Sequence, residues 1–187
     1  MIVQTEKQII LGIDPGTNIM GYGIVKVENN KLSLVRMDVL KLDKNRSQPE
    51  RLKDIFEGII SVIEQYKPTS VAIEAPFYGK NIQSMLKLGR AQGVAIVAAM
   101  HKNIPVFEYS PRKVKMAITG KGSASKEQVA GMLHHLITFE EQQYLDATDA
   151  LGIAVCHHIQ HKFPTTEKSY SGWDSFISKN ADRIITK

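Results

Sequence analysis

The chain predicts an α/β fold in which an antiparallel meander is extended by parallel strands and flanked by helices. Three observations carry that prediction. The chain opens with apolar, β-branched runs separated by turn residues. The hydrophobic period then lengthens to that of a helix between Pro49 and Pro68. A short buried run, Ser70–Glu74, follows directly. A strand-helix-strand crossover of this kind makes parallel neighbours.

The first strand is Ile9-Ile10-Leu11-Gly12-Ile13-Asp14, ended by Pro15-Gly16. It reads as a buried central strand that delivers Asp14 to the edge of a sheet, where ligands of open α/β sheets bind. Gly21 to Val27 gives a second strand, Asn29-Asn30 a turn, and Leu32 to Leu42 a third strand. Leu52, Ile55, Phe56, Ile59, Ile60 and Ile63 recur at helical spacing, and Lys67-Pro68 ends that helix. Ser70–Glu74 finishes, like the first strand, on a carboxylate before a proline, Pro76. Asp14 and Glu74 are therefore expected at the same sheet edge.

Asn81 to Met100 reads as a long helix. Its second half, Gly93 to Met100, is apolar all round, which predicts cover on both faces, one by the sheet and one by a partner chain. Gly89 and Gly93 would let another backbone approach closely. Pro105 to Tyr109 is a further strand, and Pro111 opens a short helix with Arg112, Lys113 and Lys115. The glycine-rich, basic stretch Thr119 to Lys126 leads to a helix capped by Ser125, with Gln128 at the capping-box position. Val129, Met132, Leu133 and Leu136 give that helix an apolar stripe. Asp146 opens the last core helix, and Asp149, three residues on, projects from the same face. Helix capping accounts for one such aspartate, but less well for a second beside Ala150 and Ile153. Residues 1–161 form the expected folded domain. Residues 162–187 form a basic tail expected to be partly disordered, with Trp173, Phe176, Ile177, Ile184 and Ile185 available for a short docking helix.

Composition narrows the function. The 187 residues suit one domain with a sizeable core. No apolar run approaches the ~20 residues that span a bilayer, and Met1 to Gln8 lacks a signal-peptide core. The single cysteine, Cys156, excludes an internal disulfide framework and suits a reducing cytoplasm; it reads as a core residue rather than a nucleophile. The net charge of +5 leans mildly toward a polyanionic partner.

The acids carry the chemistry. Two carboxylates at ~4 Å repel by about 4 kcal/mol at an effective dielectric of 20. If Asp14, Glu74, Asp146 and Asp149 converge, they need a counter-charge. Oxygen-only donors select a hard divalent ion, Mg²⁺ or Mn²⁺. Two such ions would activate water and stabilise the leaving oxygen of a phosphodiester. His157 and His161 share a helix face at a spacing zinc uses, but no cysteine cluster completes a zinc site.

Taken together, ILGIDPG, GYGIV, Ala72-Ile73-Glu74, Lys87 to Val94, Phe107-Glu108-Tyr109 and Asp146 to Ala150 resemble the RuvC Holliday junction resolvases, in order from about Ile9 to His158. The resemblance implies an RNase H-like fold, a five-stranded mixed sheet flanked by helices. It implies a homodimer that nicks two strands symmetrically at a four-way DNA junction, with Asp14, Glu74, Asp146 and Asp149 as the catalytic, metal-binding acids. Lys115 and Lys126 match lysines near the scissile phosphate. Phe77 matches an aromatic that stacks on bases at the crossover, and Tyr78 stands ready to assist. Lys80, Arg112, Lys113 and Lys121 are candidate phosphate contacts. The long helix matches the family's dimer element, and a RuvA–RuvB branch-migration motor is the implied partner. Three readings compete. Gly12 to Thr17 also resembles the first phosphate loop of actin-like ATPases and sugar kinases, although the chain is short for two such lobes. A non-catalytic junction-binding protein, and a related nuclease or transposase acting on other nucleic acids, are the others.

Overall fold

The computed structural model describes residues 7–76, 81–139 and 144–162. Five strands form one sheet: β1 (Gln8–Asp14), β2 (Ile19–Glu28), β3 (Lys31–Lys41), β4 (Ser70–Glu74) and β5 (Val106–Tyr109). Their order is β3-β2-β1-β4-β5. β1 pairs antiparallel with β2, and β2 with β3. β4 runs parallel to both β1 and β5. The expected mixed sheet of meander plus parallel strands is therefore present, with β1 at its centre.

Local chemistry explains the connections. Asn29 and Asn30 both have positive φ, 49° and 64°, which a tight hairpin turn between β2 and β3 requires. Helix α1 (Gln48–Tyr66) starts on a full capping box, Ser47 with Glu50, and ends at Lys67 in the left-handed conformation. Helix α2 (Ile82–His101) is capped by Asn81. Ser110 caps α3 (Pro111–Thr119), which Gly120 closes at φ 71°. Ser125 and Gln128 form the expected box on α4 (Lys126–Leu136). Helix α5 (Leu145–Lys162) is the last described element.

The period of two along each strand sorts side chains into two layers. Leu11, Ile13, Tyr22, Ile24, Val71 and Ile73 pack beneath α1 and α2. Ile10, Val25, Ala72 and Tyr109 face α3, α4 and α5. Gly12 and Asp14 share the parity of Ile10, and Glu74 shares that of Ala72, so both acids belong to the α5 layer.

Glycines bring α5 against the sheet. A β-carbon on Gly12 would lie 2.1 Å from the Ala150 carbonyl oxygen, and one on Gly21 would lie 2.0 Å from that of Asp146. Helix and strands therefore meet backbone to backbone, without an intervening side-chain layer.

One face stands open as expected, and one expectation needs correction. The outer face of α2, the one expected to meet a partner chain, is open: Ile82 is 68% and Val97 59% exposed, with Leu86 and Met100 also exposed. The second half of α2 is apolar all round, but the sheet reaches only the Ala91, Ala95, Ala98 and Ala99 side. In α4, only Val129 and Leu133 of the expected stripe are buried, while Met132 and Leu136 face outward because α5 and α3 contact one side of this short helix.

Candidate active site

The site lies at the carboxyl edge of the sheet. Asp14 ends β1 and Glu74 ends β4. The register Ile13↔Ile73 makes these two acids neighbours on adjacent parallel strands. Asp149 comes from the start of α5. Asp14, Glu74 and Asp149 line one cleft of about 330 Å³ together with Lys115, Lys126, Pro111, Val114, Val129 and Gly152. Asp146 does not line it; its backbone rests on Gly21, which pairs with Asp14 across the ladder.

The charges in this cleft are poorly balanced. The Asp14 carboxyl is pushed up to about 8, first by burial and then by the negative charges of Glu74, Asp149 and Asp146, with Lys126 opposing. Glu74 is raised by burial and by Asp149, against the pull of Lys126 and Lys115. Lys126 Nζ donates to Asp149 Oδ2 at 2.5 Å, and this bond raises the lysine. A single ammonium is thus the nearest counter-charge to several acids.

An added divalent cation fits this donor set. The acids offer hard oxygen donors, and the raised Asp14 and Glu74 register burial first and neighbouring negative charge second, both of which a cation would offset. As placed, no three His, Cys, Asp or Glu side chains among the described residues are arranged to hold an ion. Lys126 stands on Asp149 instead.

The other basic candidates are scattered. Lys113 lies over the Tyr109 ring at 5.5 Å. Arg112 packs its side chain beside Gly122. Lys121 is exposed on the loop before α4. None of the three lines the cleft. Phe77, Tyr78 and Lys80 lie outside the described residues.

The opposite edge of the sheet is quieter. His157 is buried, and its Nδ1 shares a 2.8 Å hydrogen bond with the Tyr109 hydroxyl. Its ring also contacts Phe107 and His161. Burial lowers its pKa to about 4. Cys156 is fully buried, and burial pushes its thiol up to about 12, in keeping with a core role.

One feature of the site has no counterpart in the sequence reading. Gln92 of α2 donates to the Glu74 carbonyl oxygen at 3.2 Å and to Glu108 Oε2 at 2.8 Å. The available signal was a lone amide in phase with the alanines of the buried face.

Comparison with known proteins bears on this geometry. Residues 10–157 match the family model described as crossover junction endodeoxyribonuclease RuvC. A protein of that name from Cytophaga hutchinsonii is 52% identical over 184 residues, covering 98% of this chain and 91% of the relative. Another, from Bacteroides fragilis, is 51% identical over 187 residues and is covered completely. Among solved structures, Thermus thermophilus RuvC in complex with Holliday junction substrate superposes with a TM-score of 0.79 at 32% identity. That match spans 84% of this chain and 97% of the other.

Proposed function

The chain belongs to the RuvC family of crossover junction endodeoxyribonucleases, and from that premise we propose that it resolves four-way DNA junctions by paired, symmetric nicks, in homologous recombination and repair. The observation that carries this reading is the convergence of Asp14, Glu74 and Asp149 on one cleft that also holds Lys115 and Lys126.

Asp14, Glu74, Asp146 and Asp149 are the residues that would hold Mg²⁺, or Mn²⁺ in its place, as two ions per site. When bound, such ions acidify a water and neutralise charge on the leaving oxygen. The chain's own residues set up the rest. The carboxylates fix where the phosphodiester is presented, at the carboxyl edge of β1 and β4. Lys115 and Lys126 line the same cleft, where an ammonium stabilises negative charge developing on the phosphoryl oxygens. Lys126 would compete with a cation for the Asp149 carboxylate, and once displaced its ammonium would be free to face a phosphate. The apolar wall of Val114 and Val129 limits water around the reacting group.

Junction seating uses a wider surface. Lys80, Arg112, Lys113 and Lys121 would contact phosphates, each steepening the log–log salt dependence by about 0.9. Phe77 and Tyr78 would stack on bases at the crossover, at about 1–3 kcal/mol per base. Two active sites come from a homodimer. The exposed stripe Ile82, Leu86, Val97 and Met100, with Gly89 and Gly93 open between them, supports α2 as its seam. No helix among the described residues is long and apolar enough to cross a membrane. A cytoplasmic setting, a RuvA–RuvB partner, and the division into a 1–161 nuclease domain and a 162–187 tail complete the proposal.

The test is a synthetic four-way junction, a matched linear duplex, and Mg²⁺ or EDTA. Junction-selective, Mg²⁺-dependent nicking is expected. Equal cutting of the duplex, or ATP hydrolysis without DNA, would overturn the reading. Gly93→Leu has room in the isolated chain and should halve the mass seen by light scattering; an unchanged mass would remove α2 as the seam.

A further inference from the structure

Helix α2 carries one polar side chain on its buried face. Gln92 is only 6% exposed and lies among Ala91, Ala95 and Ala99. An amide NH₂ has two hydrogens, and Gln92 directs one to the Glu74 carbonyl and one to Glu108. An apolar side chain of the same volume would fill this place without needing any partner, so packing alone does not call for an amide.

The recipient is what matters. The β1–β4 ladder ends at Ile13↔Ile73. Glu74 lies beyond that pair, with the next residue held by β5 through the Ala75 N–H to the Tyr109 carbonyl at 2.8 Å. Gln92 secures the Glu74 peptide from the α2 layer, while the Glu74 side chain enters the cleft in the α5 layer. Glu108 has the parity of the α2 side of β5 and orients the amide. The pair thus grips the main chain of a cleft acid from behind, leaving its carboxylate unoccupied by the grip.

We propose that Gln92, oriented by Glu108, is a positioning residue that sets the aim of the Glu74 carboxylate and thereby the affinity of the site for divalent cations. This rests on the reading that Glu74 holds such a cation. Residues that orient metal-bearing carboxylates typically contribute about 10–100-fold in metal affinity or activity.

The experiment uses the full chain, with Mn²⁺ binding followed by calorimetry and junction nicking titrated with Mg²⁺. Gln92→Met keeps the volume and removes both donors. Mn²⁺ affinity is expected to fall about tenfold, and the Mg²⁺ midpoint of nicking to rise in parallel, with junction affinity and light-scattering mass unchanged. Glu108→Gln, at an exposed position, keeps the fold and weakens the orientation of the amide. A smaller shift in the same direction, about two- to threefold, is expected. In the swapped pair Gln92→Glu with Glu108→Gln, the two side chains still bond to each other but the donor to Glu74 is lost, so the swap should not restore affinity. Unchanged Mn²⁺ affinity in Gln92→Met, or full recovery in the swap, overturns the proposal. If the wild-type chain itself neither binds Mn²⁺ nor nicks junctions, the broader functional reading fails instead.

Discussion

Helix α5 serves two edges of one sheet, and the two edges are built on opposite principles. At its amino end, Asp149 joins Asp14 and Glu74 in a cleft whose acids outnumber their cations. Toward its carboxyl end, His157 is buried with a hydrogen-bond partner and aromatic neighbours. The first edge is left electrostatically incomplete and the second is closed. The contrast teaches that titratable residues on one helix are told apart by what satisfies them. A group already partnered within the chain stabilises the fold, whereas groups held in mutual repulsion await something from outside. The two edges also respond to pH with opposite sign. Asp14 has a folded pKa above its unfolded one, so the fold loses stability as pH rises from about 4 toward 8. His157 has a folded pKa below its unfolded one, so stability is lost as pH falls from 6.5 toward 4.

The sharpest way to break the contrast is Asp14→Asn. Nicking should fall by at least about a hundred- to a thousandfold, with junction binding retained in a gel-shift assay. The same variant, free of metal at pH 8.5, should be more stable to urea than the wild type by about 1–3 kcal/mol. Equal stability would mean that burial and the neighbouring acids do not penalise the Asp14 charge as the cleft geometry implies. Gly12→Ala should follow in size. The added carbon meets the Ala150 carbonyl oxygen, and pushing α5 off β1 should cost about 3 kcal/mol, read as a lower denaturation midpoint. At the closed edge, His157→Phe leaves the Tyr109 hydroxyl without its partner. It should cost about 1–3 kcal/mol and flatten the acid-side pH slope, with nicking per folded molecule unchanged. A large loss of nicking there would erase the distinction between the edges. His161→Ala is the smallest change, within about 0.5 kcal/mol for an exposed side chain.

Much of this was legible before any coordinates. Apolar runs that stop at Asp14 and Glu74 announced buried strands with acids at one edge, because a chain that alternates buried residues has few ways to end on a charge. Pro49, Pro111 and Ser125 announced their helices through start signals that are local in sequence. What stayed hidden was long-range. Gln92 meets Glu74 and Glu108 across 18 and 16 residues, and no local pattern reports such a meeting. The pairing of Lys126 with Asp149 spans 23 residues and depends on how α4 leans on α5. The open outer face of α2 was legible as a surface that wants cover, because hydropathy reports that need even where the same chain does not supply it.

The glycine contacts under α5 have a consequence for tolerance. Where helix and sheet touch through main-chain atoms, the gauge between Asp14 and the aspartates of α5 does not depend on the girth of any interposed residue. Surrounding side chains are then free to drift in size and shape while the spacing of the acids stays put, much as a machine keeps its calibration when two metal faces are bolted together without a gasket.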